Sequence, residues 1–275
     1  MTTAPALETV LEHRTSLSGE EIQQSAEAFI REGYVLIRGV LPPERCAAFR
    51  AEIDRIFREV PQDHPEQGYS AGLRVKLFHY SWLIAEHMDC SPVIEIVEKI
   101  LGETCHLVSN NIVRNDKSWA ISNWHVDEEV LFPLPEGVEH DDRVVMPCLS
   151  LNSQWYLTDV GTEDGPTQVV PYSHRSGRQP PKTEGDALPS YRGHPAVSLL
   201  ARAGDVALQH AQVWHRGDVV RSEKTRYMLQ YSYGKRCFAQ RFFPFVNYQV
   251  PAHVLELATP RRKRLLGFHP RGPWG

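Results

Sequence analysis

The run Asn123-Trp124-His125-Val126-Asp127-Glu128-Glu129 holds the spacing most able to do chemistry, a histidine and an aspartate two positions apart. On an extended backbone such residues leave the same face, so an imidazole and a carboxylate can converge on one point. That point suits a metal ion. Joined by the imidazole of His215, the pair would occupy one face of an octahedron, a donor set that suits Fe(II) and leaves the opposite positions open for oxygen and a chelating co-substrate. His-x-Asp alone is weak evidence, because so short a pattern recurs by chance. The elements that must position these residues carry the rest of the argument.

With 275 residues, 41% hydrophobic and 23% charged, the chain has ample material for a core, and we expect one domain over 1–275. A net charge of −4 gives no reason to expect a nucleic-acid partner or an anionic membrane surface. Cys46, Cys90, Cys105, Cys148 and Cys237 are odd in number and lack Cys-x-x-Cys spacing, so they read as reduced thiols rather than a disulfide framework or a zinc site. The N-terminus has no basic stretch followed by an apolar run, and no segment approaches membrane-spanning length, so a cytoplasmic address is expected. Oligomeric state has no signature in the sequence.

Residues 1–17 are polar and aperiodic and read as a mobile arm, followed by a mainly helical flank over 18–102. Ser18 and Glu21 form a capping box ahead of Ile22, Ala26, Phe29 and Ile30, and Gly33 ends that helix. Tyr34 to Val40 suits a strand. Pro42-Pro43 opens a second helix carrying Cys46, Phe49, Ile53, Ile56 and Phe57 at helical spacing, and a third helix runs from Ser91-Pro92 to Gly102. Pro61 to Leu73 reads as loop.

From 103 to 250 the periodicity changes. Short β-rich runs at Cys105–Val113, Val144–Leu157, Thr167–Val170, Ala196–Leu200, Asp205–Gln209 and Tyr227–Tyr233 are separated by Gly, Pro and Asp. Such a series predicts a mainly β fold with flanking helices, two sheets packed face to face as a sandwich or jelly roll with room for a ligand in its open mouth. The 133–142 and 175–195 connections are long enough to act as lids or to be surface excursions. Residues 251–275 read as a C-terminal helical segment whose basic run, Arg261 to Arg264, forms a solvated face. An arginine at 226, opening an apolar strand, would be costly if buried without an anion, and its planar fork suits a carboxylate.

In this order the motifs are specific. The Gly33-Tyr34-Val35-Leu36 strand entry, Trp124-His125-Val126-Asp127, Asp164-Gly165-Pro166 leading to Val170-Pro171-Tyr172-Ser173-His174-Arg175, Ala203-Gly204-Asp205-Val206, His215, Arg226 and Arg264-Leu265-Leu266-Gly267 resemble the phytanoyl-CoA dioxygenase-like (PhyH) branch of the Fe(II)/2-oxoglutarate-dependent oxygenases, over roughly 29–267. The resemblance implies a double-stranded β-helix (jelly-roll, cupin-like) core, iron held by His125, Asp127 and His215, and the distal carboxylate of 2-oxoglutarate on Arg226. It also implies O2 as co-substrate and a small or medium-sized metabolite oxidised at an unactivated C–H bond. Retention of Asp127 favours hydroxylation over halogenation. Two readings of other kinds stay open: a cupin-like metal-dependent isomerase or hydrolase, and a non-catalytic binding or sensing domain.

Several residues keep two readings at this stage. Tyr172 replaces the glycine usual in relatives and is a candidate to reach the substrate cavity. Trp124, Trp155 and Trp214 line that cavity or pack, and Asn111, Asn152 and Gln154 are unranked candidates for the near carboxylate of the 2-oxo acid. His174 reads as structural. Glu128, Glu129, Glu136, Glu139, Asp141 and Asp142 form either an acidic lip that selects a cationic substrate or a solvated loop.

Overall fold

The computed structural model describes residues 16–61, 72–115, 121–182, 187–243 and 245–272. Helix α1 (Gly19–Glu32) begins as the capping box requires: Glu21 N–H donates to Ser18 Oγ at 3.2 Å and Ser18 N–H to Glu21 Oε2 at 2.8 Å. It ends where Gly33 turns to φ 86°. Strand β1 (Tyr34–Ile37) follows, then α2 (Pro43–Glu59), which buries Cys46, Phe49, Ile53 and Ile56. Next come β2 (Leu73–Val75), short α3 (Trp82–Glu86) and α4 (Val93–Leu101).

The β region contains β3 (His106–Asn115), β4 (Ser150–Tyr156), β5 (Thr167–Val169), β6 (Ser190–Tyr191), β7 (His194–Pro195), β8 (Val197–Leu199), β9 (Val206–His210), β10 (His215–Gly217) and β11 (Arg226–Gly234). Helices α5 (Ala252–Glu256) and α6 (Pro260–Leu265) close the described chain. A six-stranded sheet runs β1-β9-β4-β11-β3-β2 and a three-stranded sheet β10-β5-β8, every pairing antiparallel. This is the jelly-roll layout, with no closed barrel.

Strand alternation divides the large sheet into two faces. Leu229, Tyr231 and Tyr233 of β11, with Leu151 and Trp155 of β4, share a core with α1, α2 and α4. On the opposite face Val113, Tyr156, Ala207 and Met228 pack with Val169 and Leu199 of the small sheet. The pairing of Ser232 with Ser109 and of Tyr233 with Leu107 leaves Val108 as an extra residue in β3. That bulge lets Leu107 point to the helices while Ser109 points into the space between the sheets. Tyr231 and Tyr233 donate their hydroxyls to the carbonyls of Ile84 and Met88, tying the flank to the sheet.

Several expectations need correction. Leu73 belongs to β2 rather than to a loop, while 62–71 lies outside the described residues, as do residues 1–15 of the expected arm. The strand expected from Val144 begins only at Ser150, because Pro147 interrupts the ladder and Val144 and Val145 are exposed. The 175–195 connection carries the β6–β7 pairing, which its composition conceals. The basic run on α6 is an anchor: Arg261 pairs with Glu95 and Glu98, Arg262 with Asp89 and Arg264 with Glu98. The cysteines are free thiols, with Cys46, Cys105 and Cys148 buried.

Candidate active site

His125 does not lie on a regular strand. It forms a single antiparallel bridge with His215 at the start of β10, each backbone N–H donating to the other's carbonyl at 3.0 Å, and Asp127 N–H donates to Ala211 O. The backbone is extended enough for the expected convergence. One ligand-type atom from each of His125, Asp127 and His215 lies within 4.8 Å of the others. The two imidazole rings sit 4.2 Å apart between centroids, and His215 Nε2 is 3.5 Å from Asp127 Oδ1.

Both rings are oriented by the chain itself. His125 Nδ1 is 2.7 Å from Asn123 O and His215 Nδ1 is 2.9 Å from Val213 O, so each Nδ1–H donates to a carbonyl two residues back and Nε2 keeps its lone pair. Asp127 is held from the other side by Asn152 Nδ2, which donates to Oδ2 at 2.6 Å. Behind Asn152 lies a relay across three strands: Ser109 Oγ donates to Ser232 Oγ at 2.9 Å, and Ser232 donates to Asn152 Oδ1.

The charges at the site answer one another. Burial would raise the Asp127 carboxyl, but His215 and then His125 hold it below its ordinary value. Burial works against charge on His215, and Asp127 outweighs it and lifts the imidazole, whereas burial followed by the neighbouring His215 lowers His125. A divalent cation bound here would compete with protonation of His215 at Nε2, the nitrogen that faces Asp127.

These residues open into a cavity of about 190 Å³, with Arg226 also in its wall. Arg226 is 4% exposed; its Nε donates to Asn115 Oδ1 at 2.9 Å and Nη1 donates to Gly165 O. Among the described residues no carboxylate pairs with it, and Nη2 is left without a partner. Burial accordingly lowers its pKa. Two of its donors are already used, so less of the planar fork is available than the sequence implied.

The other candidates separate cleanly. Asn152 serves Asp127, Gln154 donates to Gln209 Oε1 at 2.6 Å, and the Asn111 carboxamide faces the cavity with no protein partner among the described residues. Trp155 is core, packed against His87. Trp124 lies under the Arg216 guanidinium and Trp214 packs with Val126, Val170 and Tyr191; neither lines the cavity. Tyr172 does not reach it either: its turn sits at φ 67° and its ring meets His194, 4.4 Å away. His174 is structural, with Nε2 at 3.2 Å from Ile30 O.

Four of the six carboxylates of the expected acidic lip are paired with arginines. Glu128 pairs with Arg241, Asp141 with Arg143, Glu139 with Arg178 and Arg192, and Asp142 with Arg175 and Arg192. The last four pairs stitch the 133–142 loop to the 175–195 connection. Sequence reasoning passed over Ser109, Gln230 and Ser232, although the alternation of β11 (Met228, Gln230 and Ser232 against Leu229, Tyr231 and Tyr233) contains the signal.

A jelly roll with two imidazoles and one carboxylate converging in its cavity has the architecture of the non-haem iron oxygenases. Residues 29–228 match the phytanoyl-CoA dioxygenase (PhyH) family, and the chain belongs to that family of iron- and 2-oxoglutarate-dependent dioxygenases. Among relatives, the uncharacterized protein Rv1501 of Mycobacterium tuberculosis is 24% identical over 95% of this chain and 90% of its own length. The dioxygenase trt7 of Aspergillus terreus is 22% identical over 90% of this chain and 84% of its own. Two solved structures share the fold. The alpha-ketoglutarate-dependent epimerase SnoN from nogalamycin biosynthesis superposes with TM-score 0.60 at 20% identity, covering 81% of this chain and 86% of its own. HygX of Streptomyces hygroscopicus, with nickel and 2-oxoglutarate bound, gives TM-score 0.60 at 19% identity over 82% and 90%. No helix among the described residues is long and apolar enough to cross a membrane.

Proposed function

We propose that His125, Asp127 and His215 hold Fe(II), that Arg226 receives the distal carboxylate of 2-oxoglutarate, and that the protein hydroxylates an unactivated C–H bond of a small or medium-sized metabolite. The observation that carries this reading is the pairing, in one cavity, of three convergent donors with a buried arginine that has no carboxylate partner among the described residues. The donor set fits: two imidazoles with Nε2 free and a carboxylate with one oxygen committed to Asn152 leave three atoms for one face of an octahedral ion. With iron and 2-oxoglutarate bound, oxygen would be reduced at the expense of the 2-oxo acid and a substrate C–H bond, giving succinate and CO2.

What the chain contributes is position. The Asn123 and Val213 carbonyls fix both imidazole tautomers, Asn152 turns Asp127, and Nη2 of Arg226 supplies a charge-assisted hydrogen bond where the cavity ends. Hydroxylation is the finer part of the proposal, since the structural neighbours include an epimerase. The test is anaerobic titration with Fe(II) and 2-oxoglutarate, looking for the weak visible band of the chelate, followed by a succinate assay. A protein that binds iron but gives neither band nor succinate with any substrate would return the site to the cupin-like isomerase or hydrolase reading.

A further inference from the structure

A second chamber of about 290 Å³ adjoins the first, and the two share Leu73, Ser109, Asn111 and Arg241 as common wall. Its remaining wall includes Phe243 and Phe245, 46% and 59% exposed, whose rings meet edge to face at 6.2 Å. Phe245 is held at φ 63°, a left-handed conformation rare for a bulky residue. Lys76 and Arg241 also line this chamber, and no carboxylate does among the described residues. Arg241 stands at the junction with one Nη2 contact to Glu128, while its Nε and Nη1 have no partner among the described side chains.

We propose that this outer chamber is the substrate site and that it takes an organic acid with an apolar, ring-bearing body, its carboxylate on Arg241 and its body against Phe243 and Phe245. The assignment rests on the oxygenase reading only in calling the ligand a substrate. Three observations carry it. The aromatic pair supplies solvent-facing apolar area that loses contact with water only when something covers it. The guanidinium keeps N–H groups on Nε and Nη1 beside that area, each able to give a carboxylate a charge-assisted hydrogen bond. Among the described residues no acidic side chain lines the chamber, and Glu128, which could have received an amine, is already engaged with Arg241. At the junction, the Asn111 carboxamide is unused and available to a neutral oxygen of the same molecule as it passes toward the metal-binding residues.

The experiment uses three naphthalene probes that differ in one group: 2-naphthoate, 2-naphthamide and 2-(aminomethyl)naphthalene. Each is titrated calorimetrically into the full chain, metal-free and then with Mn(II) and 2-oxoglutarate. We expect naphthoate to bind at least tenfold more tightly than the amide, and the amine to bind least. Arg241→Gln should remove the advantage of naphthoate while leaving the amide unchanged. Glu128→Gln should strengthen naphthoate binding by freeing the guanidinium, an opposite sign that damage to the fold would not produce. Phe245→Ala should weaken naphthoate and amide alike. Equal affinity for acid and amine, an Arg241→Gln variant that still prefers naphthoate, or displacement of naphthoate by 2-oxoglutarate would each overturn the assignment. Failure of the oxygenase reading is separately visible, because it removes 2-oxoglutarate binding and leaves the probe series in metal-free protein intact.

Discussion

Replacing Arg226 with Met isolates the contact on which the co-substrate depends. The guanidinium is 4% exposed, and its protein partners, Asn115 Oδ1 and Gly165 O, are both uncharged. In the proposed complex the distal carboxylate is its countercharge. Removing one member of a buried charge pair costs about 3–5 kcal/mol. At about 1.4 kcal/mol per decade, 2-oxoglutarate should bind between about a hundredfold and a few thousandfold more weakly to Arg226→Met. Arg226→Lys should recover only part of this, since an ammonium cannot satisfy Asn115 and Gly165 and also reach the ligand as a planar fork does. The assay is anaerobic calorimetry of 2-oxoglutarate against Mn(II)-loaded protein, with metal content measured in each variant. Thermal unfolding gives a second reading: a hundredfold excess of ligand over Kd should stabilise wild type by about 2.7 kcal/mol and the Met variant hardly at all. Unchanged 2-oxoglutarate affinity in a metal-replete Arg226→Met protein would refute the choice of anchor.

Asp127→Ala should remain folded yet lose most of its iron, and full metal occupancy by elemental analysis would remove Asp127 from the donor set. Asn152→Ala should weaken metal binding by about ten- to a hundredfold through loss of the contact that turns Asp127, read by competition with a chelator; unaltered affinity would show that Asp127 needs no such support. Gly33→Ala would set a Cβ 2.5 Å from His174 Nδ1 at φ 86°, so its unfolding temperature should fall by several degrees, whereas an unshifted melt would mean the turn can relax. His87 is pushed down to about 3 by burial, with Arg45 and Arg262 adding to it, from an ordinary 6.5. The unfolded chain therefore binds a proton between those values that the folded chain refuses. This stabilisation is complete above pH 6.5 and falls away toward pH 3, at up to about 1.4 kcal/mol per pH unit. His87→Leu should flatten that slope in denaturant titrations at pH 7 and pH 5; identical slopes in the two proteins would contradict the assignment.

The parts of this protein legible in its sequence are those that local chemistry dictates. Ser18, Glu21 and Gly33 mark both ends of α1, and the apolar spacing in α2 and α4 marks their buried faces, because caps and helical periodicity are short-range properties. The convergence of His125, Asp127 and His215 was foreseeable from residue type and order, but the bridge that achieves it was not. A single backbone pairing between positions 90 apart leaves no pattern in either segment. The same holds for charge. Six carboxylates between Glu128 and Asp142 read as one acidic surface because the arginines that pair with four of them come from positions 143, 175, 178, 192 and 241. The Tyr172 side chain turned away from the cavity because its left-handed backbone sends the ring toward His194.

The Ser109–Ser232–Asn152–Asp127 relay has a consequence for redesign. Each member donates to the next, so the direction of every bond is set by the last, an ionised carboxylate that can only accept. Ser109, Ser232 and Asn152, on three neighbouring strands, thus form one unit of inheritance with Asp127. Changing Ser232 alone to enlarge the cavity would leave Ser109 without an acceptor and free Asn152 to rotate, and an amide turned over would present oxygen to Asp127. Libraries aimed at new substrates should vary 109, 152 and 232 jointly or leave all three alone, and place their diversity at Leu73, Val75, Phe243 and Phe245, which line the cavities without belonging to the relay.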